Sequence, residues 1–283
     1  MNDAQTALLD DPYNRFFGSA AVDLTGPSFS RVYDVDWGRF TKVKHVIEPR
    51  VDYSYQSEVS DGSRTPIFDE VDVFAGTNAI TYALVQRLLA KDKQGSTREV
   101  VSLEFNRSHL FRLPGEGTAA GPSPYAERDG PLNAILRVNA SSALNLDARA
   151  AFDLPYGQFT SASLTAILSG RESNLALSLF SSNPVIVPPP PAGSPSTSST
   201  QIRIYGGMPI LPRRLRLDVQ ANYDISLGRM LESRTLVTFE HACFKILAEY
   251  RNIRVGSVPS QDYRIALTLR NVGSFLDFTG SLW

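Results

Sequence analysis

The amino-acid sequence predicts an all-β protein, an antiparallel up-and-down transmembrane β-barrel or part of a larger one. Three observations lead there. Apolar and polar residues alternate over stretches about twice the usual strand length of 5–6 residues. The long connections leave one edge of the strand series and the tight turns leave the other. The one stretch with a helical reading, ITYALVQRLLAKD, lies between strands and reads as another strand.

In chain order the alternation predicts about 13 strands, at 17–35, 40–56, 78–91, 97–111, 132–140, 144–154, 159–169, 173–182, 200–208, 214–227, 231–241, 244–255 and 261–271. VVSLEFN sets Val101, Leu103 and Phe105 against Ser102, Glu104 and Asn106. LNLDARAAFDL sets Leu144, Leu146, Ala148, Ala150, Phe152 and Leu154 against Asn145, Asp147, Arg149 and Asp153. The most regular stretch is RRLRLDVQANYDISLGR. There Leu215, Leu217, Val219, Ala221, Tyr223, Ile225 and Leu227 alternate with Arg216, Asp218, Gln220, Asn222, Asp224 and Ser226. FKILAEYR and QDYRIALTLRN repeat the pattern; the second puts Tyr263, Ile265, Leu267 and Leu269 against Asp262, Arg264, Thr268 and Arg270.

The connections 57–77, 112–130 and 182–199 are long and fall after the second, fourth and eighth expected strands. DWGR, SSA, GRE and HAC are tight and fall after odd ones. Outer-membrane barrels sort their loops in this way, with short periplasmic turns and long extracellular loops. The stretch 182–199 is a Pro/Ser run that cannot pack a core and is expected to be mobile.

Strand length fits the same picture. At about 3.4 Å per residue, the alternating run from Leu215 to Leu227 covers roughly 40 Å. Tilted by about 45°, it rises near 30 Å, enough for an apolar band of about 25 Å. The charged row then has to face water, which in a barrel means the lumen. A soluble antiparallel sandwich also alternates, but gives no reason for sorted loops. A closed bacterial barrel has an even strand number, so an odd count is either off by one or describes part of a larger barrel; a part is expected to stay open, with two free edges. Residues 1–12 form a polar N-terminal segment ahead of the barrel part, 13–283; MNDAQTALLDD is not a signal peptide. The terminal Trp283 is the expected signal for the barrel-assembly machinery.

The net charge is −1, which gives no reason to expect nucleic acid. No run of 18 apolar residues is present, so no transmembrane helix is expected. The single cysteine, Cys243, excludes a disulfide within one copy of the chain.

Four segments resemble, in order, the C-terminal half of the barrel domain of the LPS-assembly protein (LptD, organic solvent tolerance) family. KHVIEPRVDYSYQ carries His45, Glu48 and Pro49. IFDEVDVFAGTNAITYALVQRLL carries Asp69, Glu70 and Asp72. EHACFKILAEYR and YRIALTLRNVGSF match more loosely. The resemblance implies an outer-membrane translocon that inserts lipopolysaccharide into the outer leaflet. It further implies a hydrophilic lumen plugged by a lipoprotein, supply from a periplasmic lipopolysaccharide bridge, and a seam for which Tyr263–Leu269 would be one side. The family's periplasmic domain and first barrel half are not in this chain, which suggests a fragment, a truncated gene or half of a split protein. The family often has adjacent cysteines where this chain has Ala242 and Cys243, so a bridge through Cys243 needs a cysteine elsewhere; a partly buried free thiol is the simpler expectation.

Of the candidate site residues, Arg216, Asp218, Gln220, Asn222 and Asp224, with Asp262, Arg264, Thr268 and Arg270, are the expected lumen-facing surface. His45, His109 and His241 lack ligand spacing, so no metal is expected through them. Asp69, Glu70 and Asp72 could bind a divalent cation or pair with Arg64. Pro49 within a strand pattern favours an edge, a bulge or a strand end, and beside Glu48 and Arg50 a bulge that re-aims the strand is the first expectation. No G-x-S-x-G, P-loop, C-x-x-C or H-E-x-x-H motif is present, and neither an enzyme nor a cofactor is expected. A porin or ligand-specific transporter without a lateral gate is the alternative function.

Overall fold

The computed structural model describes residues 16, 18–57, 76–113, 127–185, 198–255 and 258–282. They form β1 (Ser19–Thr25), β2 (Phe29–Trp37), β3 (Phe40–Gln56), β4 (Thr77–Asp92), β5 (Thr97–Leu110), β6 (Leu132–Asn139), β7 (Leu144–Asp153), β8 (Gln158–Ser169), β9 (Asn174–Ser182), β10 (Ser199–Leu211), β11 (Leu215–Asp224), β12 (Arg229–Glu240), β13 (Phe244–Val255), β14 (Val258–Leu269) and β15 (Gly273–Leu282). From β3 onward each strand neighbours the next in sequence, and β1 and β2 both pair with β3. The protein is all-β, an up-and-down antiparallel sheet, as the alternation predicts. β4 is the stretch that had a helical reading; it is a strand of 16 residues.

The strand count of 15 exceeds the expected one for two reasons. The ribbon 17–35 is broken at Gly26-Pro27-Ser28. β1 pairs with Arg50–Gln56 and β2 with Phe40–Ile47, so three residues face only Glu48 and Pro49. Pro49 was the expected bulge, but β3 runs through it and the irregularity lies in the facing ribbon. Gly26 N donates to the Pro49 carbonyl at 2.9 Å, and a Cβ on Gly26 would lie 2.9 Å from Pro49 Cγ. A side chain here would press on the Pro49 ring, which glycine avoids. The second addition is β15, whose glycines and single charge hide it. β14 therefore pairs with both β13 and β15, and Tyr263–Leu269 is not the last strand. Among the described residues β1 and β15 do not pair with each other.

β11 also ends earlier than expected. Asp224 Oδ1 accepts from Leu227 N at 2.9 Å, and Gly228 takes a left-handed φ of 62°. Ile225 and Leu227 thus sit in a tight turn. The ten residues of β11 still rise about 24 Å at a 45° tilt.

Contacts divide the chain into two compact units: Met1–Gly26, Pro49–Ala83 and Arg107–Gly130, and Pro27–Glu48, Leu84–Asn106 and Pro131–Trp283. In the larger unit little apolar area is buried, at Val43, Val46, Val85, Ala90 and Ala266, and on β11 the polar face is the more enclosed one. Among its described residues no large side chain is fully buried, while Val219, Ile246, Leu177 and Ile265 are exposed. On β11 the polar Asn222 and Asp224 are buried, and the neighbouring apolar Val219 and Tyr223 face outward. Thr238 and Glu48, also on polar rows, are buried as well. A water-soluble fold draws its stability from burying apolar area, at about 25 cal/mol per Å²; this sheet leaves that area bare.

Candidate functional site

The site is the polar face of the larger unit. Register makes it continuous. Arg137 lies opposite Asp147, Asp147 opposite Thr165, and Thr165 opposite Ser178. Ser178 lies opposite Arg203, and Arg203 opposite Asn222. Further on, Gln220 faces Arg234, Arg234 faces Arg251, and Arg251 faces Asp262. The two expected lumen rows, on β11 and β14, therefore share one face.

Charges on this face neutralise one another locally. Asp147 takes Arg149 Nε at 2.8 Å and Arg137 Nε at 3.3 Å. Arg216 reaches Asp218 at 2.9 Å and Asn174 Oδ1 at 2.9 Å, and its Nη1 donates to the Glu172 carbonyl at 2.8 Å. Arg234 meets Glu249 at 2.6 Å, and Arg251 meets Glu232 at 3.0 Å. Arg264 grips Asp277 with two bonds, of 2.9 and 2.6 Å. Solvent-exposed pairs like these contribute about 0.2–1 kcal/mol each, so they do not hold the sheet together; the backbone ladder does. Their effect is a wall with both signs of charge closely spaced and few unpaired groups.

Gly207 makes the Arg216 cluster possible. It lies opposite Asp218, and a Cβ there would overlap the Arg216 guanidinium and the Asp218 carboxylate. Among the expected lumen residues, Gln220 Nε2 is 3.4 Å from Glu232, and Asp262 accepts from Ser260 Oγ at 3.3 Å. Thr268 is exposed. Asn222 is buried with its Oδ1 lacking a hydrogen-bond partner. Asp224 is on the row, but its carboxylate is taken up by the turn. Arg270 is not on the row: it lies in the turn after β14, 3.4 Å from the Ala242 carbonyl. Tyr263, Ile265, Leu267 and Leu269 are on the opposite, apolar face, where Tyr263 packs on Tyr250 at 5.1 Å.

The motif residues hold structure. Buried Glu48 receives Arg87 Nη2 at 2.8 Å and Ser28 Oγ at 3.3 Å. His45 Nε2 lies 3.2 Å from Gln86 Oε1. Asp69, Glu70, Asp72, Arg64 and Trp283, and most of the three long connections, lie outside the described residues. Cys243 is a free thiol in the tight turn between β12 and β13; it is exposed, not partly buried.

In the smaller unit, alternation offers no hint of a cluster around Asp129. That carboxylate meets His109 Nδ1 at 2.7 Å and Arg107 at 3.5 Å. The hydrogen bond to His109, helped by the Arg107 charge, holds its carboxyl below the ordinary value. Asp129 belongs to a stretch that reads as loop, so no sequence signal marks it. Among the described residues no three His, Cys, Asp or Glu side chains come together as a metal site. Among the described residues no helix is long and apolar enough to cross a membrane, which says nothing of strands.

Comparison with models of known protein families finds no match, and no curated protein matches the chain.

Proposed function

We propose that this chain is wall of an outer-membrane β-barrel that carries lipopolysaccharide to the outer leaflet of a Gram-negative bacterium. The observation that carries the reading is the burial pattern: paired charge on one face, where Asn222, Asp224 and Thr238 are buried, and bare Leu, Val, Ile and Phe on the other. Bare apolar area of this extent is stable where the solvent is hydrocarbon. In hydrocarbon each unpaired backbone group costs several kcal/mol, so spanning strands must pair on both sides. The two edges of this sheet, β1 and β15, need partners in such a membrane.

The cargo follows from the two faces together and from the family resemblance. Lipopolysaccharide has a charged sugar head and apolar tails. A wet wall with alternating charge accommodates the head, while a separable strand edge lets the tails reach lipid. That edge is β15 in this reading, because β14 is paired on both sides. A lipoprotein plug, a periplasmic lipopolysaccharide bridge and the barrel-assembly machinery are the corresponding partners.

Depletion of the protein in its host tests this. Loss of surface lipopolysaccharide with accumulation on the periplasmic side is the expected result. Unchanged surface lipopolysaccharide with altered uptake of small solutes would replace it with a porin or ligand-specific transporter.

A further inference from the structure

At the tight-turn end of the polar face lies a cavity of about 620 Å³, lined by Arg213, Arg214, Arg216, Arg234, Lys245 and Glu172 among others. Most of its charges are matched. Arg216 is held by Asp218 at 2.9 Å, Arg234 by Glu249 at 2.6 Å, and Lys245 by Glu240 at 3.4 Å. Arg213 and Arg214 are exposed, and among the described residues neither guanidinium pairs with a carboxylate. Two guanidiniums with no carboxylate of their own thus stand at the cavity's rim, with the Glu172 carboxylate as the one opposing charge left over.

The backbone adds an independent observation. Leu211-Pro212-Arg213-Arg214 forms a turn in which Arg214 N donates to the Leu211 carbonyl at 3.1 Å. Pro212 is its first central residue and Arg213 its second, at φ 61°. A type II turn asks for glycine at that second position. The chain complies elsewhere: its other described positive-φ residues are Gly38, Gly95, Gly157, Gly228, Gly273 and Asn271. A side chain in this region costs about 1–2 kcal/mol. Strained backbone of this kind clusters at functional sites.

We infer that the Pro212-Arg213-Arg214 turn and its cavity dock a phosphate-bearing anion. The source assigned is the phosphorylated sugar head of a glycolipid, which rests on the transport reading above. Phosphate fits better than a single carboxylate. Its double charge matches two unpaired cations, and its oxygens suit the guanidinium fork. The position also fits: on the tight-turn edge, such a site meets the cargo before it reaches the Arg216–Asp218 and Arg234–Glu249 pairs.

The test uses the full chain in detergent micelles, with binding of lipopolysaccharide, its enzymatically dephosphorylated form and inorganic pyrophosphate measured separately. Arg213→Gly is the informative variant, since it relieves the turn while removing the side chain. It should raise the unfolding midpoint and weaken lipopolysaccharide binding about tenfold, the loss of roughly one charge-assisted contact. Arg214→Gln should weaken binding similarly. Arg171→Gln, an exposed cation on a neighbouring turn, should not. Dephosphorylation should weaken wild-type binding by more than Arg213→Gly alone does, since it removes the contacts of both arginines, and pyrophosphate should compete. Wild-type affinity in Arg213→Gly, equal loss in Arg171→Gln, or binding indifferent to dephosphorylation would each overturn the site. An acidic polypeptide that displaces lipopolysaccharide where pyrophosphate cannot would overturn it too. The transport reading fails separately: depletion without effect on surface lipopolysaccharide removes transport and leaves pyrophosphate binding as it is.

Discussion

Arg234 and Arg251 stand directly opposite each other across β12 and β13, and each takes its carboxylate on the diagonal, Glu249 at 2.6 Å and Glu232 at 3.0 Å. Like charges face to face on neighbouring strands are destabilising. The two glutamates turn that conflict into a four-charge cluster. Glu249→Gln should therefore cost about 1 kcal/mol, the upper end for a partly exposed pair, by leaving Arg234 against Arg251. The loss should shrink as salt rises and screens the repulsion. Unfolding midpoints at low and high salt check this, and a loss independent of salt would contradict it.

The two faces of β11 and β8 should respond oppositely to the same new charge. Val219 is 42% exposed on the apolar face. In a bilayer Val219→Arg should cost about 2–4 kcal/mol, whereas an exposed position in a water-soluble protein tolerates it within about 0.5 kcal/mol. Thr165→Arg, on the polar face opposite Asp147, should stay within about 0.5 kcal/mol. Folding into lipid vesicles, followed by denaturant titration, reads both. Equal tolerance at the two positions would place the apolar face in water.

Much of this fold is visible in the sequence because a period of two leaves its mark on every strand. Leu215 through Tyr223 alternate without a fault, and the structure puts Arg216, Asp218, Gln220 and Asn222 together on the other face. What alternation cannot show is partner choice. Nothing in the order of residues tells that Arg264 meets Asp277 or that Arg216 meets Asn174, because register between strands sets those pairs. The broken first ribbon is hidden for a related reason. Gly26-Pro27 falls inside the expected ribbon 17–35, and only its position against Pro49 shows the break. β15 escapes notice because Gly273, Gly280 and one aspartate blur its pattern.

Gly207→Ala should disturb the Arg216 cluster. The added methyl would overlap Arg216 and Asp218 and lie 2.9 Å from Asn174 Oδ1. Three side chains converging on one space have little room to yield, and overpacking of this kind costs about 1–3 kcal/mol. Asn174→Ala in the same chain should recover part of the loss by clearing one of them. Urea midpoints of the single and double variants decide it; strictly additive losses would show that Asn174 is not part of the crowding.

The Asp129 cluster should give a pH step near the bottom of the carboxylate range. Its folded-state carboxyl is held below the ordinary value by His109 and Arg107. The sign follows from linkage: the contribution is present above the unfolded value of about 3.9 and is lost as pH falls through the lower folded value. The protection of the Gly130 amide relative to an unstructured one, with its N–H bonded to the Ser108 carbonyl at 2.8 Å, should be level from neutral pH to about 4 and fall below it. Asp129→Asn should abolish the step. A step centred near neutral pH would assign the titration to a different group.

The lone thiol can report the orientation of the sheet in a membrane. Cys243 is exposed in a tight turn, on the edge that the proposed orientation turns to the periplasm. A membrane-impermeant maleimide should leave it unlabelled on intact cells and label it once the outer membrane is permeabilised. Leu227, 60% exposed in the turn at the opposite edge, supplies the control. In a Cys243→Ala background, Leu227→Cys should label on intact cells without permeabilisation. The reverse pattern would invert the orientation and move the Arg213–Arg214 rim to the cell surface. Labelling of both thiols in a fraction free of membrane would remove the bilayer altogether, and with it the reason for an apolar face left bare.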